Sequence, residues 1–160
     1  MEKSKEPGTE YTLISRSEEE TKAAAARIVR DATAHNPERA LVVALEGELG
    51  AGKTQFAKGV ARALGITNTV VSPTFLVMRR YGASEVSSIP NITEMYHFDC
   101  YRVGSEEEVI ALGWEDILAK QGAVVVVEWA SRIERILPQD TLWVMIESTG
   151  PTERVMNVRY

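Results

Sequence analysis

Gly47-Glu48-Leu49-Gly50-Ala51-Gly52-Lys53-Thr54 is the stretch that decides the fold, because it matches the phosphate-loop pattern G-x-x-x-x-G-K-[S/T] at every fixed position. In such a loop the glycines let consecutive backbone N–H groups turn inward around phosphates, Lys53 supplies a cation, and the Thr54 hydroxyl can reach Mg²⁺. An apolar run precedes the loop at residues 40–45, and residues 53–64 have a helical pattern closed by a glycine. Strand, glycine loop and helix in this order predict a nucleotide phosphate site. The alternative is a glycine-rich turn that binds nothing.

The composition favours one domain. The chain has 160 residues, 44% of them hydrophobic, which is enough for one sizeable core. Residues 1–10 are polar and predicted to form a disordered N-terminus, and residues 11–160 a single domain. No apolar run approaches the ~20 residues of a membrane span, and the first residues lack a signal-peptide apolar stretch. Because Cys100 is the single cysteine, no intrachain disulfide can form, and a cytoplasmic protein is the simplest interpretation.

Charge is distributed unevenly along the chain. Residues 1–80 carry 12 Lys and Arg against 10 Asp and Glu, whereas residues 81–160 carry 6 against 13. This pattern argues against autonomous DNA or RNA binding, which needs clustered Lys and Arg. The acidic second half is either a solvated surface or a docking surface for a basic partner.

The remaining segments predict an α/β fold with three layers, as in P-loop NTPases: a central mixed, mainly parallel sheet with antiparallel additions. Ser17 followed by Glu20 is a capping box that opens a helix over about 17–34, which Asn36-Pro37 ends. Shorter helices are predicted at 105–111 and 113–118. Further strands are predicted at 11–14, 74–81, 95–102, 123–127, 141–147 and 153–159. The pair 74–81 and 95–102 is expected to form a hairpin, as is the last pair.

Two residues follow the β-branched run 123–127. Glu128 stands at the carboxyl end of this strand, the edge where open α/β sheets bind ligands. It is either linked to a metal or a surface glutamate just beyond the strand. Trp129 either stacks on a nucleobase or belongs to the core.

A third candidate lies in the segment His97-Phe98-Asp99-Cys100-Tyr101-Arg102. Strand alternation puts His97, Asp99 and Tyr101 on one face, where they could position water or face a metal. Equally, Asp99 could be the salt-bridge partner of Arg102 or Arg80.

Ser72-Pro73-Thr74-Phe75 offers two hydroxyls around a proline with a locked φ angle. Such a loop either senses the γ-phosphate or its Mg²⁺, or is a plain turn before a strand.

Together these segments resemble the TsaE (YjeE) family, small P-loop ATPases needed for threonylcarbamoyladenosine modification of tRNA. The motifs that carry the resemblance follow the family's order over residues 15–147: GELGAGKT, SPTF, HFDCYR, the EE-x-x-x-LG-type stretch 107–113, and VVVVEW. The resemblance implies an Mg²⁺-dependent ATPase that binds ATP and ADP. It also implies that the protein acts with TsaB and TsaD and meets tRNA only through that complex.

The resemblance further implies roles for individual residues. The implied nucleotide contacts are Gly47, Glu48, Leu49, Gly50, Ala51, Gly52, Lys53, Thr54, Gln55, Ser72, Thr74 and Trp129, with Trp129 near the adenine. The implied catalytic residues are Lys53, Asp99 and Glu128, and the implied metal ligands are Thr54 and Glu128. Of the two acids, one is linked to the metal and the other positions water or acts as a base. Three positions depart from the family pattern: Gln55, Ala130 and Cys100.

Two other functions use the same phosphate loop. A small-molecule kinase would need an Arg-bearing lid, and no Arg-rich insertion follows residue 102. A non-catalytic module would bind nucleotide only to stabilise a docking surface. A GTPase is disfavoured because the sequence has no N-K-x-D motif for guanine.

Overall fold

The computed structural model describes residues 8–34, 38–73 and 75–160. Within them, seven strands form one sheet in the order β1-β7-β6-β2-β5-β4-β3. The strands are β1 (Glu10–Ser15), β2 (Leu41–Glu46), β3 (Met78–Gly82), β4 (Glu94–Asp99), β5 (Ala123–Glu128), β6 (Leu142–Ser148) and β7 (Arg154–Arg159). The helices are α1 (Glu18–Thr33), α2 (Lys53–Ala63), α3 (Glu106–Ile110), α4 (Trp114–Leu118) and a 3-10 helix, Ala130–Ile136.

The centre of the sheet is parallel and its margins are antiparallel. Strand β2 pairs in parallel with β5 and β6, and β5 pairs in parallel with β4. The pairs β3–β4, β6–β7 and β7–β1 are antiparallel. The predicted mixed sheet with antiparallel additions is therefore confirmed.

Two cores lie on opposite faces of this sheet. Alternation in β2 sends Val43 and Leu45 to the face covered by α1 and α2, and Val42 and Ala44 to the face covered by α3, α4 and the 3-10 helix. Every residue of β5 is buried, as its β-branched sequence predicts for a strand covered on both faces. The result is the expected three-layer architecture.

The first helix begins where the capping pattern predicts. The Ser17 hydroxyl accepts the N–H of Glu20 at 3.0 Å. The Glu20 carboxylate reaches back to the N–H of Arg16 at 2.6 Å, one residue before the cap. The helix extends to Thr33. The predicted stop at Asn36-Pro37 lies outside the described residues.

Three predicted segments differ from the observed ones by more than one residue at an end. The predicted strand 74–81 is reduced to β3, because the N–H groups of Leu76 and Val77 both donate to the carbonyl of Pro73 and turn the chain. The predicted strand 95–102 ends at Asp99, whose carboxylate accepts the N–H of Tyr101. The N–H of Gly8 donates to the carbonyl of Tyr160, and β1 begins at residue 10, so residues 8–10 pair with the end of the chain. The rest of the predicted disordered segment, residues 1–7, is outside the described part. In the described ranges, no helix is long and apolar enough to cross a membrane.

Candidate nucleotide-binding site

The phosphate loop connects the carboxyl end of β2 to the first residue of α2. Gly47 is required by close approach, since a Cβ there would lie 2.3 Å from the carbonyl oxygen of Ile146 in β6. Gly52, the N-cap of α2, has a φ of 111°, a conformation that disfavours any side chain. These two glycines aim the free N–H groups and positive dipole of α2 into a cleft, as an anion site requires.

Lys53 is held inside this loop. Only 4% of the residue is exposed, and its ammonium donates to the carbonyls of Gly47 at 2.6 Å and Glu48 at 2.8 Å. Burial lowers the pKa of Lys53, an effect opposed by the negative charges of Glu128, Glu46 and Asp99. The ammonium is therefore a desolvated cation, with which an anion in the cleft would pair favourably.

Glu128 has a hydrogen-bond contact at each of its two carboxylate oxygens. The Thr54 hydroxyl donates to Glu128 Oε1 at 3.0 Å, and His97 Nε2 lies 2.6 Å from Glu128 Oε2. The Glu128 side chain is only 4% exposed, so the alternative of a surface-facing glutamate is wrong. A hydroxyl and a carboxylate this close are ligand types that Mg²⁺ accepts.

The donor set fits an ion that arrives with a nucleotide. Among the described residues, no three His, Cys, Asp or Glu side chains are grouped to hold a metal by themselves. Mg²⁺ bound with nucleotides takes one or two protein ligands and completes its shell with phosphate oxygens and water. The pair Thr54 and Glu128 matches that need.

Asp99 is the direct neighbour of Glu128, because these residues are in register at the ends of the parallel strands β4 and β5. The Ser72 hydroxyl donates to Asp99 Oδ2, and the N–H of Tyr101 donates to Oδ1 at 2.9 Å. The salt bridges considered from sequence are not among these contacts: Arg80 pairs with Glu94, and the Arg102 guanidinium lies over the Phe75 ring. Thr74, the second hydroxyl of this loop, lies outside the described residues.

Trp129 lies beside Lys53 in the cleft. Its backbone is left-handed, with a φ of 58°, and its ring centroid is 4.2 Å from the Lys53 ammonium and 5.0 Å from the Tyr101 ring. The implied stacking of Trp129 on adenine stays a prediction. The next turn is fixed by Glu46, whose carboxylate accepts the N–H of Ser131, a contact that sequence patterns did not indicate.

Lys53, Thr54, Asp99, Glu128 and Trp129 line one cleft of about 690 Å³, within the usual range for small-molecule sites, whereas Gly47, Glu48, Ala51 and His97 lie outside its lining. Its lining residues are Ser17, Glu18, Thr21, Leu49, Gly50, Gly52, Lys53, Thr54, Gln55, Ser72, Asp99, Tyr101, Glu128, Trp129, Pro151, Thr152 and Arg154. Gln55 Oε1 is buried there without a hydrogen-bond partner in the part of the chain described.

Sequence reasoning missed one wall of the cleft. The start of α1 and the turn between β6 and β7 contribute Glu18, Thr21, Pro151, Thr152 and Arg154. The turn itself was predicted. Its place in the site follows from β6 pairing in parallel with β2, which brings the end of β6 beside the phosphate loop.

Known proteins resemble this chain over most of its length. The family model described as "Threonylcarbamoyl adenosine biosynthesis protein TsaE" matches residues 15–156. A Bacillus subtilis protein named "tRNA threonylcarbamoyladenosine biosynthesis protein TsaE" is 44% identical to this chain. The match covers 71% of this chain and 65% of the length of that relative, so the chain spans just under two thirds of it. A protein of the same name from Rickettsia conorii is 33% identical over 89% of this chain and 74% of its own length. Another from Treponema pallidum is 34% identical over 76% of this chain and 83% of its own length.

Among solved structures, a crystal structure of Bacillus subtilis YdiB superposes with a TM-score of 0.71 at 34% identity. The match covers 96% of this chain and 87% of that one. The chain therefore belongs to the TsaE family of threonylcarbamoyl adenosine biosynthesis proteins.

Proposed function

We propose that this protein is a cytoplasmic Mg²⁺-dependent ATPase that supports threonylcarbamoyladenosine modification of tRNA. The observation that carries the ATPase proposal is the hydrogen bond from Thr54, at the end of the phosphate loop, to Glu128. Asp99 lies in register beside Glu128 on the neighbouring strand. The curated relatives are named for tRNA threonylcarbamoyladenosine biosynthesis, which supports the process assigned here.

In this proposal each group of the loop has a defined task. Lys53 leaves its two carbonyl partners and pairs with the β- and γ-phosphates, while the α2 N–H groups bind phosphate oxygens. Thr54 and Glu128 would hold Mg²⁺, which would neutralise charge on the phosphates. Asp99 would then orient the attacking water or accept its proton. Ser72 and Tyr101 fix the direction of its carboxylate.

The proposed partners are TsaB and TsaD, and tRNA is met through them. The acidic second half of the chain gives no basic face for tRNA itself. The turn that follows Ser72 exposes Phe75 and Leu76, which are 84% and 61% accessible. A partner that covered this turn would act on Asp99 through Ser72, so turnover would be slow alone and faster in the complex.

The test is ATP turnover by the parent, Lys53→Ala and Glu128→Ala, each alone and with TsaB and TsaD. We expect both variants to lose about 100-fold or more in turnover, as when a single charge-stabilising group is removed. Lys58→Ala is the matched control, because Lys58 lies in α2 but does not line the cleft. Unchanged turnover in both site variants would refute the site.

Two other outcomes separate the alternatives. A phosphorylated nucleoside or metabolite among the products would identify a kinase. Full tRNA modification by a Glu128 variant that binds ATP without hydrolysing it would identify a docking module.

A further inference from the structure

We propose that His97 is a positioning residue that holds the Glu128 carboxylate in the orientation needed to bind Mg²⁺. This inference rests on the proposed function, because it deepens the role of the same acid. The motivating contact is the 2.6 Å separation of His97 Nε2 and Glu128 Oε2, between side chains that are 0% and 4% exposed.

A carboxylate this buried requires hydrogen-bond donors, because burying an unpaired charge is costly. Glu128 has one donor on each oxygen: the Thr54 hydroxyl on Oε1 and the His97 ring on Oε2. Thr54 is itself a proposed metal ligand, so its hydroxyl is redirected when the ion binds. His97 is then the donor that keeps the carboxylate in place before and after metal uptake.

The direction of the His97 hydrogen bond follows from its surroundings. An ionised carboxylate only accepts, so the ring nitrogen facing Glu128 carries the proton. The other ring nitrogen, Nδ1, is buried without a hydrogen-bond partner in the described ranges. The contact between His97 and Glu128 is therefore made through the Nε2 side of the ring.

His97 is also well anchored for this task. It lies in β4, which pairs along its whole length with β5, the strand that carries Glu128. The pairing of β4 with β5 therefore fixes the position of His97 beside Glu128.

The test measures Mn²⁺ affinity by electron paramagnetic resonance in the presence of ADP, and ADP affinity without metal. His97→Leu removes the donor, and we expect Mn²⁺ binding to weaken about 10- to 100-fold, as for other groups that orient metal ligands. Metal-free ADP affinity should stay within about twofold, since His97 is not among the residues that line the cleft. His97→Gln keeps an N–H near the Nε2 position and should recover most of the Mn²⁺ affinity. Met95→Leu, a buried change two residues earlier in β4, should leave both affinities unchanged.

Melting temperatures show whether each variant is folded. If His97→Leu is not, His97→Asn replaces it, because its amide ends near the Nδ1 position and falls short of Glu128. The inference is overturned if the donor-lacking variant binds Mn²⁺ like the parent, or if His97→Gln is as weak as that variant. Equal loss of metal-free ADP affinity would also overturn it, by showing a general structural role. A parent that binds no Mn²⁺ with ADP would instead refute the proposed function itself, and this inference with it.

Discussion

Replacing Gly59 by alanine tests how closely the two helices beside the phosphate loop pack. Gly59 lies in α2 where that helix meets the backbone of α1. A methyl group there would be 2.4 Å from the Lys22 carbonyl oxygen, 2.6 Å from its Cα and 2.9 Å from its carbonyl carbon. Contacts between carbon atoms are normally about 3.5–4.0 Å, so one helix must retreat by about 1 Å. No side chain can rotate away to relieve this clash, because the obstructing atoms belong to the helix backbone.

Two opposing terms set the size of the effect. Overpacking a well-packed interface costs about 1–3 kcal/mol, and a backbone obstacle places Gly59→Ala near the upper end. Alanine in a helix interior is favoured over glycine by about 1 kcal/mol, which offsets part of that cost. We therefore expect a net loss of about 2 kcal/mol in the free energy of unfolding. For a domain of this length, that corresponds to a fall of about 4–8 °C in melting temperature.

The assay is equilibrium unfolding in urea followed by circular dichroism. Gly82→Ala is the matched control, because a Cβ at Gly82 meets nothing within 4 Å. Its free energy of unfolding should stay within about 0.5 kcal/mol of the parent value. If Gly59→Ala is as stable as the parent or more stable, α1 and α2 do not approach as closely as the structure shows, and the reasoning is refuted.

Three further predictions concern single groups. Ser17→Ala removes the α1 cap and should lower the free energy of unfolding by about 1 kcal/mol, measured by urea unfolding; no change would contradict the capping role. Burial, with a smaller contribution from nearby carboxylates, raises the pKa of the Cys100 thiol to about 12. A thiol-specific disulfide reagent at mildly alkaline pH should therefore react with Cys100 only after the protein is unfolded. Prompt reaction of the native protein would contradict this prediction. Burial of Glu94 acts to raise its pKa, but hydrogen bonds from Arg80 and Lys120 outweigh it, so the pKa lies below its ordinary value of 4.5. The carboxylate therefore stabilises the fold fully above that pH and loses this effect as the pH falls through the lower folded value. Glu94→Gln should be less stable than the parent at neutral pH, with a gap that narrows below pH 4.5 in pH-dependent unfolding; a constant gap would contradict the pKa direction.

The sequence predicted what depends on neighbouring residues. The phosphate loop, the α1 cap and the buried strand β5 each follow from side chains a few positions apart, and each lies where the pattern indicates. The strand predicted at 74–81 was too long because the prediction used only the alternation of side chains. Its alternation ignored the carbonyl of Pro73, which takes two N–H groups out of any possible strand pairing.

Contacts that depend on strand order could not be predicted in this way. Tyr101, Thr152 and Arg154 line one cleft, although about fifty residues separate the first from the other two. Their meeting requires β6 and β5 to flank β2, an order that no local pattern specifies. The same holds for His97 and Glu128, whose contact depends on the exact register of β4 against β5.

That register also bears on which acid serves the metal, a choice that the residue pattern left open. Glu128 and Asp99 end adjacent parallel strands at the same level, so depth in the sheet does not distinguish them. Their partners do: Glu128 contacts Thr54, whereas Asp99 contacts Ser72 on a separate loop. A phosphate-loop hydroxyl and a metal-linked acid must share one ion, so they have to lie within a few ångströms of each other. The 3.0 Å contact of Thr54 favours Glu128 for the ion, and it supports the proposal that Asp99 serves the attacking water.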